Sequence, residues 1–431
     1  MDKRGVLKIR EIIIAAIFIL LSVPAQSENF SGIKSAIEGA VTSGDMKMSI
    51  GLIADKDGDL LNYAAGFRDE DSLVKMEHDS IIQIASMTKL VTTIAILQLV
   101  EKEKIVLDNQ IDYYLPELAN LKILKGFDQG SPVYVEPSRR PTVRELITHT
   151  SGYTYDFLDE DVYALVNMGL LETGLKQPPD GLFLKAPLIA EPNEKFQYGI
   201  SIDWLGVLVE RVSELDLITY FDKYIFEPLE MVDTFYEFPS EKMDRASAIW
   251  SRLDAPLPSF FQRLLLRVTA FFSGSDLIHV EELQPKSAEK GSFKFYTGGG
   301  GLYSTTSDYS KILRMLLSNG VLNDQQILSA EMVDKMFDNH SGDHEVQLGS
   351  WGDMGFGSEA NWGLGFMVHP VGTSFGRSEN SASWGGLFNS YFWIDRDAGI
   401  AGIFATQLFP FFDERVIKHY NEFESEVYKA I

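Results

Sequence analysis

IIQIASMTKLVTTIAILQLV, residues 81–100, joins a short apolar lead-in to a helix that is apolar on nearly every face. It runs into the charged stretch Glu101, Lys102, Glu103 and Lys104. Ser86 stands where that helix begins, and Lys89 follows three residues later. Residues i and i+3 share a helix face, so the hydroxyl and the amine can meet. The positive end of the helix dipole favours an alkoxide developing on Ser86. A lysine kept neutral by burial can take the serine proton. Taken alone, the pair is also what a helix cap and a solvated lysine produce, so the rest of the chain has to decide.

The chain has 431 residues, 45% of them hydrophobic and 12% aromatic, enough for a large core. Lys3, Arg4, Lys8 and Arg10 precede the apolar run Ile12 to Leu21, and Pro24-Ala25-Gln26-Ser27 supplies small residues for cleavage. Residues 1–27 therefore read as a secretory signal, with an uncleaved anchor as the alternative. The chain contains no cysteine, which excludes a lipoprotein anchor and disulfides. Export without cysteine points to a bacterial periplasm. The formal net charge is −24, and about −26 once the four basic and two acidic residues of the signal are gone. Such a surface repels nucleic acid and anionic lipid, and no stable membrane insertion is expected after cleavage.

Lys47 to Asp55 and Leu60 to Phe67 read as strands joined by Lys56-Asp57-Gly58-Asp59, a hairpin signal. Pro141 to Ile147 reads as a short helix with proline near its start, ending towards Gly152. Helical patterns follow over Asp159 to Asp180, Ile202 to Glu214 and from Tyr220 to Pro228, with Lys195 to Tyr198 as a short extended piece. Ser259 to Phe272 reads as a core helix or, alternatively, a lid or membrane-surface helix. Gly274 to Ser292 reads as a polar loop. Gly298 to Gly301 has no Walker lysine behind it and reads as a tight turn, followed by a helix capped within Thr306 to Asp308. Trp362 to Leu408 breaks into consecutive antiparallel strands, and Phe411 to Ile431 closes as a helix. The fold class is α+β: one antiparallel sheet built from both termini, flanked by helices, with a mainly helical lobe inserted. Residues 28–431 form one unit, with a sheet lobe of about 28–85 and 295–431 and a helical lobe of about 86–294.

Five runs fall in order: Ala85 to Lys89, Leu146 to Gly152, Tyr198 to Gly206, Gly299 to Thr305, and Trp384-Gly385-Gly386 leading into Tyr391 to Asp395. Together they resemble the serine β-lactamase and penicillin-binding-protein superfamily, and within it the class C β-lactamase-like family VIII carboxylesterases. The resemblance covers roughly Lys47 to Gln407. It implies Ser86 as the nucleophile of an acyl-enzyme, and Lys89 with Tyr198 as the pair that accepts its proton and later activates water. It places Trp384, Gly385 and Gly386 where the superfamily has Lys-Thr-Gly, with the N–H groups of Ser86 and Leu387 as the oxyanion hole.

Two departures bear on substrate. Trp384 stands where β-lactam-active relatives carry a cation, and Ile200 replaces the asparagine of Tyr-x-Asn. Both favour an uncharged, apolar acyl group. The expectation is an exported serine hydrolase acting on small-molecule carboxylic esters without a cofactor. The alternatives are a β-lactamase, D-aminopeptidase or D-alanyl carboxypeptidase and, in another class, a non-catalytic protein that holds a cell-wall fragment. Gly372-Thr373-Ser374-Phe375-Gly376 matches a Gly-x-Ser-x-Gly elbow, but proline before it and a strand after it make it a turn. His340, Asp343 and His344 sit in a polar loop and make a thin metal site, and His149 reads as structural.

Overall fold

A computed structural model describes residues 30–69, 73–174, 181–253, 276–346 and 359–431. The N-terminal apolar run and the Ser259 to Phe272 helix of the sequence reading lie outside them. Met48–Asp55 (β1) and Asp59–Asp69 (β2) form the expected hairpin. Its turn is fixed by Asp55, whose carboxylate accepts from the N–H groups of Asp57 and Gly58, each at 2.8 Å. Val74–Lys75 (β3) adds to the edge of β2. Five strands come from the other end of the chain: Asn361–Trp362 (β4), Met367–His369 (β5), Ser381–Gly386 (β6), Ser390–Asp395 (β7) and Ile400–Ala405 (β8). The order is β4-β5-β6-β7-β8-β1-β2-β3, antiparallel throughout. β1 pairs with β8, Ile50 facing Ala405, so the two ends of the chain meet inside one sheet.

Every residue of β6, β7 and β8 is buried, as in a sheet covered by helices on both faces. Ser31–Thr42 (α1) packs on β1 and β2 and against the closing helix Glu414–Ala430, which reaches β8. Thr306–Leu317 lies over β1, β2, β7 and β8. Between β3 and β4 the chain supplies Thr88–Glu101 (α2), Val143–Ile147 (α3), Glu160–Asn167 (α4) and Ser201–Ser213 (α5). With these named, Thr306–Leu317 is α6 and Glu414–Ala430 is α7.

All of Thr88 to Leu99 is buried, which is why α2 is apolar around its whole circumference: α5 packs along it and no face meets water.

Several local expectations shift. Thr142, in extended conformation, caps α3 through a capping box with Glu145, so Pro141 falls outside the helix. Beyond its end His149 already takes the left-handed conformation at φ +55°, which histidine tolerates better than most side chains, and Gly152 follows with φ +91°. α6 is capped by Thr305, one residue earlier than expected, because its extended backbone lets Oγ1 accept from the Asp308 N–H. Lys195 to Tyr198 forms no strand, and within the expected loop 274–292 Leu277–His279 pairs with Trp250–Arg252.

Candidate active site

Ser86 lies in a 3-10 turn, Ala85–Met87, that feeds directly into α2. The residue before it, Ala85, has φ +44°, a left-handed conformation that costs an L-residue roughly 1–2 kcal/mol. The surroundings hold it there. The Ile84 N–H donates to Leu302 O at 3.0 Å, and the Gln407 amide brackets Gln83, its Oε1 accepting from the Gln83 N–H at 2.9 Å. Tyr309 Oη donates to Met87 O at 2.9 Å. Ser86 is thereby set at a bend, half-buried, at the mouth of α2.

Lys89 is fully buried rather than solvated. Its Nζ lies 3.1 Å from Ser86 Oγ, 3.0 Å from Tyr155 Oη and 2.6 Å from Gly299 O. The ring of Tyr198 lies beside it, with its centroid 4.9 Å from Nζ. The Tyr198 hydroxyl is buried and has no hydrogen-bond partner among the described residues. The hydroxyl bonded to Lys89 is that of Tyr155, which the sequence reading does not single out. Behind it, Tyr155 Oη donates to Asp203 Oδ2 at 3.3 Å. Asp203 Oδ1 accepts from the Gly299 N–H at 2.9 Å and from the Thr297 hydroxyl. Burial first, then the Asp203 charge, push the Tyr155 hydroxyl well above the ordinary phenol range, so it stays protonated. Burial pushes the Asp203 carboxyl up, against the Lys89 charge and the hydrogen bonds from Thr297, Gly299 and Tyr155.

Two glycine runs make this convergence possible. A Cβ on Gly299 would stand less than 3.0 Å from the Asp203 carboxylate, so only glycine leaves room for the carboxylate and lets the same residue offer its carbonyl to Lys89. A Cβ on Gly386 would run into Ile84 O and stand 3.5 Å from Ala85 Cβ. Glycine there brings the end of β6 against the backbone just before Ser86. Ser86, Leu387, Gly385, Tyr155, Tyr198, Asp203 and Gly299 consequently line one cavity of about 50 Å³, walled by Phe157, Phe183 and Phe411. The Ser86 and Leu387 N–H groups donate to no backbone carbonyl in the turns and loops of the described residues.

Trp384 is placed differently from the cavity-lining residues. Its ring is buried behind Tyr198, centroids 5.1 Å apart, and stands edge-on to Trp362 at 4.5 Å. His149 joins the same cluster, 4.5 Å from the Tyr198 ring and 5.1 Å from Trp362. Burial, reinforced by the Lys89 charge, holds its imidazole well below the usual range. Ser374 is exposed on the turn between β5 and β6, as the sequence expects of a turn. His340 is bonded to Arg144 and to Lys335 O, and His344 to Asn193. Among the described residues no cluster of His, Cys, Asp or Glu is arranged to hold a metal ion, and no helix is long and apolar enough to cross a membrane.

A family model described as Beta-lactamase matches residues 43–425. The chain belongs to the beta-lactamase family. Among curated relatives, lovastatin esterase of Penicillium rubens is 30% identical over 388 residues, covering 86% of this chain and 92% of the esterase. Monacolin J acid methylbutanoyltransferase of Aspergillus terreus is 27% identical over 416 residues, covering 92% and 94%. In three dimensions, a mutant of simvastatin synthase from Aspergillus terreus superposes with a TM-score of 0.73 at 28% identity, over 92% of this chain and 98% of that one. EstCE1, a hydrolase with promiscuous acyltransferase activity, superposes at 0.71 and 19% identity and supports the fold. This beta-lactamase-family chain thus sits among serine hydrolases and acyltransferases.

Of the residues missed, Asp203 carries a readable signal: a carboxylate on the buried face of an otherwise apolar helix turn needs a partner. Tyr155 and Thr297 carry none. Tyr153 and Tyr155 alternate in one strand-like run, and only tertiary packing separates the one that meets Lys89 from the one that does not.

Proposed function

We propose that the protein is a serine esterase that cleaves carboxylic esters of small molecules through an acyl-enzyme on Ser86. The observation that carries the reading is the 3.1 Å approach of the buried Lys89 amine to Ser86 Oγ, at the edge of a cavity with apolar walls. In its deprotonated form Lys89 takes the Ser86 proton as Oγ attacks the ester carbonyl carbon. The N–H groups of Ser86 and Leu387 hold the oxyanion. As the tetrahedral centre collapses, the C–O bond to the alcohol breaks and the departing alkoxide takes a proton from Lys89, with the unengaged Tyr198 hydroxyl as the relay. Water, deprotonated by the same pair, then attacks the acyl carbonyl and releases the acid and Ser86.

Phe157, Phe183, Leu387 and Phe411 suit an apolar acyl chain, and among the described residues no cation lines the cavity to meet a substrate carboxylate. This disfavours the β-lactamase, D-aminopeptidase and carboxypeptidase readings. A second reading, transfer of the acyl group to an alcohol instead of water, is favoured by the relatives named methylbutanoyltransferase and simvastatin synthase. We further propose export, on the basic, apolar and small-residue sequence of residues 1–27; N-terminal sequencing of secreted protein tests it.

The functional test compares p-nitrophenyl acetate, p-nitrophenyl butyrate and a chromogenic cephalosporin on wild type and Ser86→Ala, with and without an added alcohol. Ester turnover lost in Ser86→Ala, with little cephalosporin turnover, supports the reading, and ester product formed with the alcohol moves transfer ahead of hydrolysis. Fast cephalosporin turnover favours the amide-directed alternatives. A folded wild type inert to every substrate favours the binding protein.

A further inference from the structure

We propose that Asp203, which does not reach Ser86, is the positioning residue that sets the direction of hydrogen bonding along Asp203–Tyr155–Lys89–Ser86 and so aims the free electron pair of Lys89 at Ser86. The inference rests on the acyl-enzyme reading above and deepens it.

The chain of contacts has one consistent assignment of protons for a base. Asp203 Oδ1 is occupied by two donors, the Gly299 N–H and the Thr297 hydroxyl. Its Oδ2 faces Tyr155 Oη at 3.3 Å. In its ionised form, with both donors on Oδ1, Asp203 only accepts, and Tyr155 then donates to Oδ2. The Tyr155 oxygen is then an acceptor on its other side, where Lys89 Nζ stands at 3.0 Å. Gly299 O, a carbonyl at 2.6 Å from Nζ, also only accepts. A neutral lysine amine has two N–H bonds and one lone pair. Both N–H bonds are claimed, by Tyr155 and by Gly299, and the lone pair is left for the third neighbour, Ser86 Oγ. The geometry thus prepares the amine to receive the serine proton rather than to donate to it. Asp203, Tyr155 and Lys89 are buried, which strengthens each link of the chain.

Asp203→Asn inverts the chain while keeping its shape. The two donors at Oδ1 hold the amide oxygen there, which places the NH2 group at the Oδ2 position. The amide then donates to Tyr155, whose hydroxyl proton must turn towards Lys89 and occupy its lone pair. Lys89 is left donating to Ser86, the wrong direction for a base.

The test measures kcat and KM on p-nitrophenyl butyrate for wild type, Asp203→Asn, Tyr155→Phe, the double variant and Ser86→Ala, with thermal melting as the check of folding. Asp203→Asn is expected to lower kcat by about 100-fold or more, the worth of a positioned general base, with KM changed by no more than about twofold. The deciding result is the double variant. Removing the Tyr155 hydroxyl frees the Lys89 lone pair, so the double variant is expected to be faster than Asp203→Asn and close to Tyr155→Phe alone. A purely structural carboxylate gives losses that add, and additive losses overturn the proposal. Unchanged kcat in folded Asp203→Asn overturns it as well. If Asp203→Asn does not fold, Asp203→Ala supplies the second variant: it leaves the Tyr155 hydroxyl free to turn its proton towards Lys89, so recovery of kcat on adding Tyr155→Phe supports the proposal and additive losses refute it. Ester turnover surviving in Ser86→Ala refutes the acyl-enzyme reading itself, which separates the two failures.

Discussion

Gly386→Ala isolates the contact that brings the oxyanion site together. The added methyl would lie under 3.0 Å from Ile84 O and 3.5 Å from Ala85 Cβ. The Ile84–Ala85 backbone cannot give way easily, because Ile84 is tied to Leu302 and Gln83 to Gln407 on either side of the sheet edge. The end of β6 yields instead, and restoring carbon–oxygen contact to an ordinary distance moves the Gly386–Leu387 edge by roughly 1 Å from Ser86. An oxyanion donor displaced by that much is worth about 3 kcal/mol of transition-state stabilisation, or about 100-fold in kcat. Overpacking adds about 1–3 kcal/mol of destabilisation, visible in the melting temperature. The assay is kcat and KM on p-nitrophenyl butyrate at a temperature where melting shows the variant folded. Gly39→Ala is the control: on α1, with nothing within 4 Å of the added methyl, it leaves kcat unchanged and stabilises by about 0.5–1 kcal/mol. A folded Gly386→Ala with kcat within about threefold of wild type refutes the reasoning, since the strand edge would then not set the oxyanion donor.

Trp384→Lys restores the cation of β-lactam-active relatives in sequence only. Its side chain enters the Tyr198–Trp362 cluster rather than the cavity, so the variant is expected to lose about 3–5 kcal/mol in urea unfolding and gain no cephalosporin turnover. Arg377 and Glu424 form a buried ion pair at 2.9 Å between the β5–β6 turn and α7, and Arg377→Met, which strands the carboxylate, is expected to cost about 3–5 kcal/mol by the same measurement. His149 bears on pH. Its imidazole titrates far below the usual value of 6.5 in the folded protein, because burial and the Lys89 charge oppose protonation. Below that value the unfolded chain binds a proton that the folded protein refuses, so His149 lowers stability as pH falls. His149→Phe is expected to flatten this part of the urea midpoint between pH 7.5 and 5.5, about two units spanning the free imidazole pKa. Identical pH slopes in the two proteins contradict it.

The topology was legible because both chain ends alternate and turn as strands do, while Ile81 to Val100 is too uniformly apolar to lie on a surface. Asp-Gly in Lys56 to Asp59 and the apolar runs from Trp362 onward mark hairpins by local chemistry alone. Ser86, Lys89, Leu387 and Tyr198 were legible as members of a constellation, and the fold brings them to one cavity or its wall. What was not legible depends on contacts between distant segments. Tyr155 meets Lys89 because α2 and α3 both pack on α5, whose Asp203 holds the Tyr155 hydroxyl, a relation that no spacing encodes. The orientation of Trp384 has the same origin: on β6 its neighbours point alternately to the two faces, and only the packing of Trp362 and Tyr198 decides what its face meets. Gly299 was readable as part of a turn and Gly386 as part of the run that stands in place of Lys-Thr-Gly, yet their structural use is close approach, to Asp203 and to Ile84 respectively.

The most direct test of the central claim is mass spectrometry of the folded protein after exposure to a fluorophosphonate ester, followed by peptide mapping. The account predicts one adduct, on the peptide that carries Ser86, absent from Ser86→Ala and formed more slowly in Asp203→Asn. An adduct elsewhere, on Ser374 for example, or no adduct on folded wild type, contradicts it.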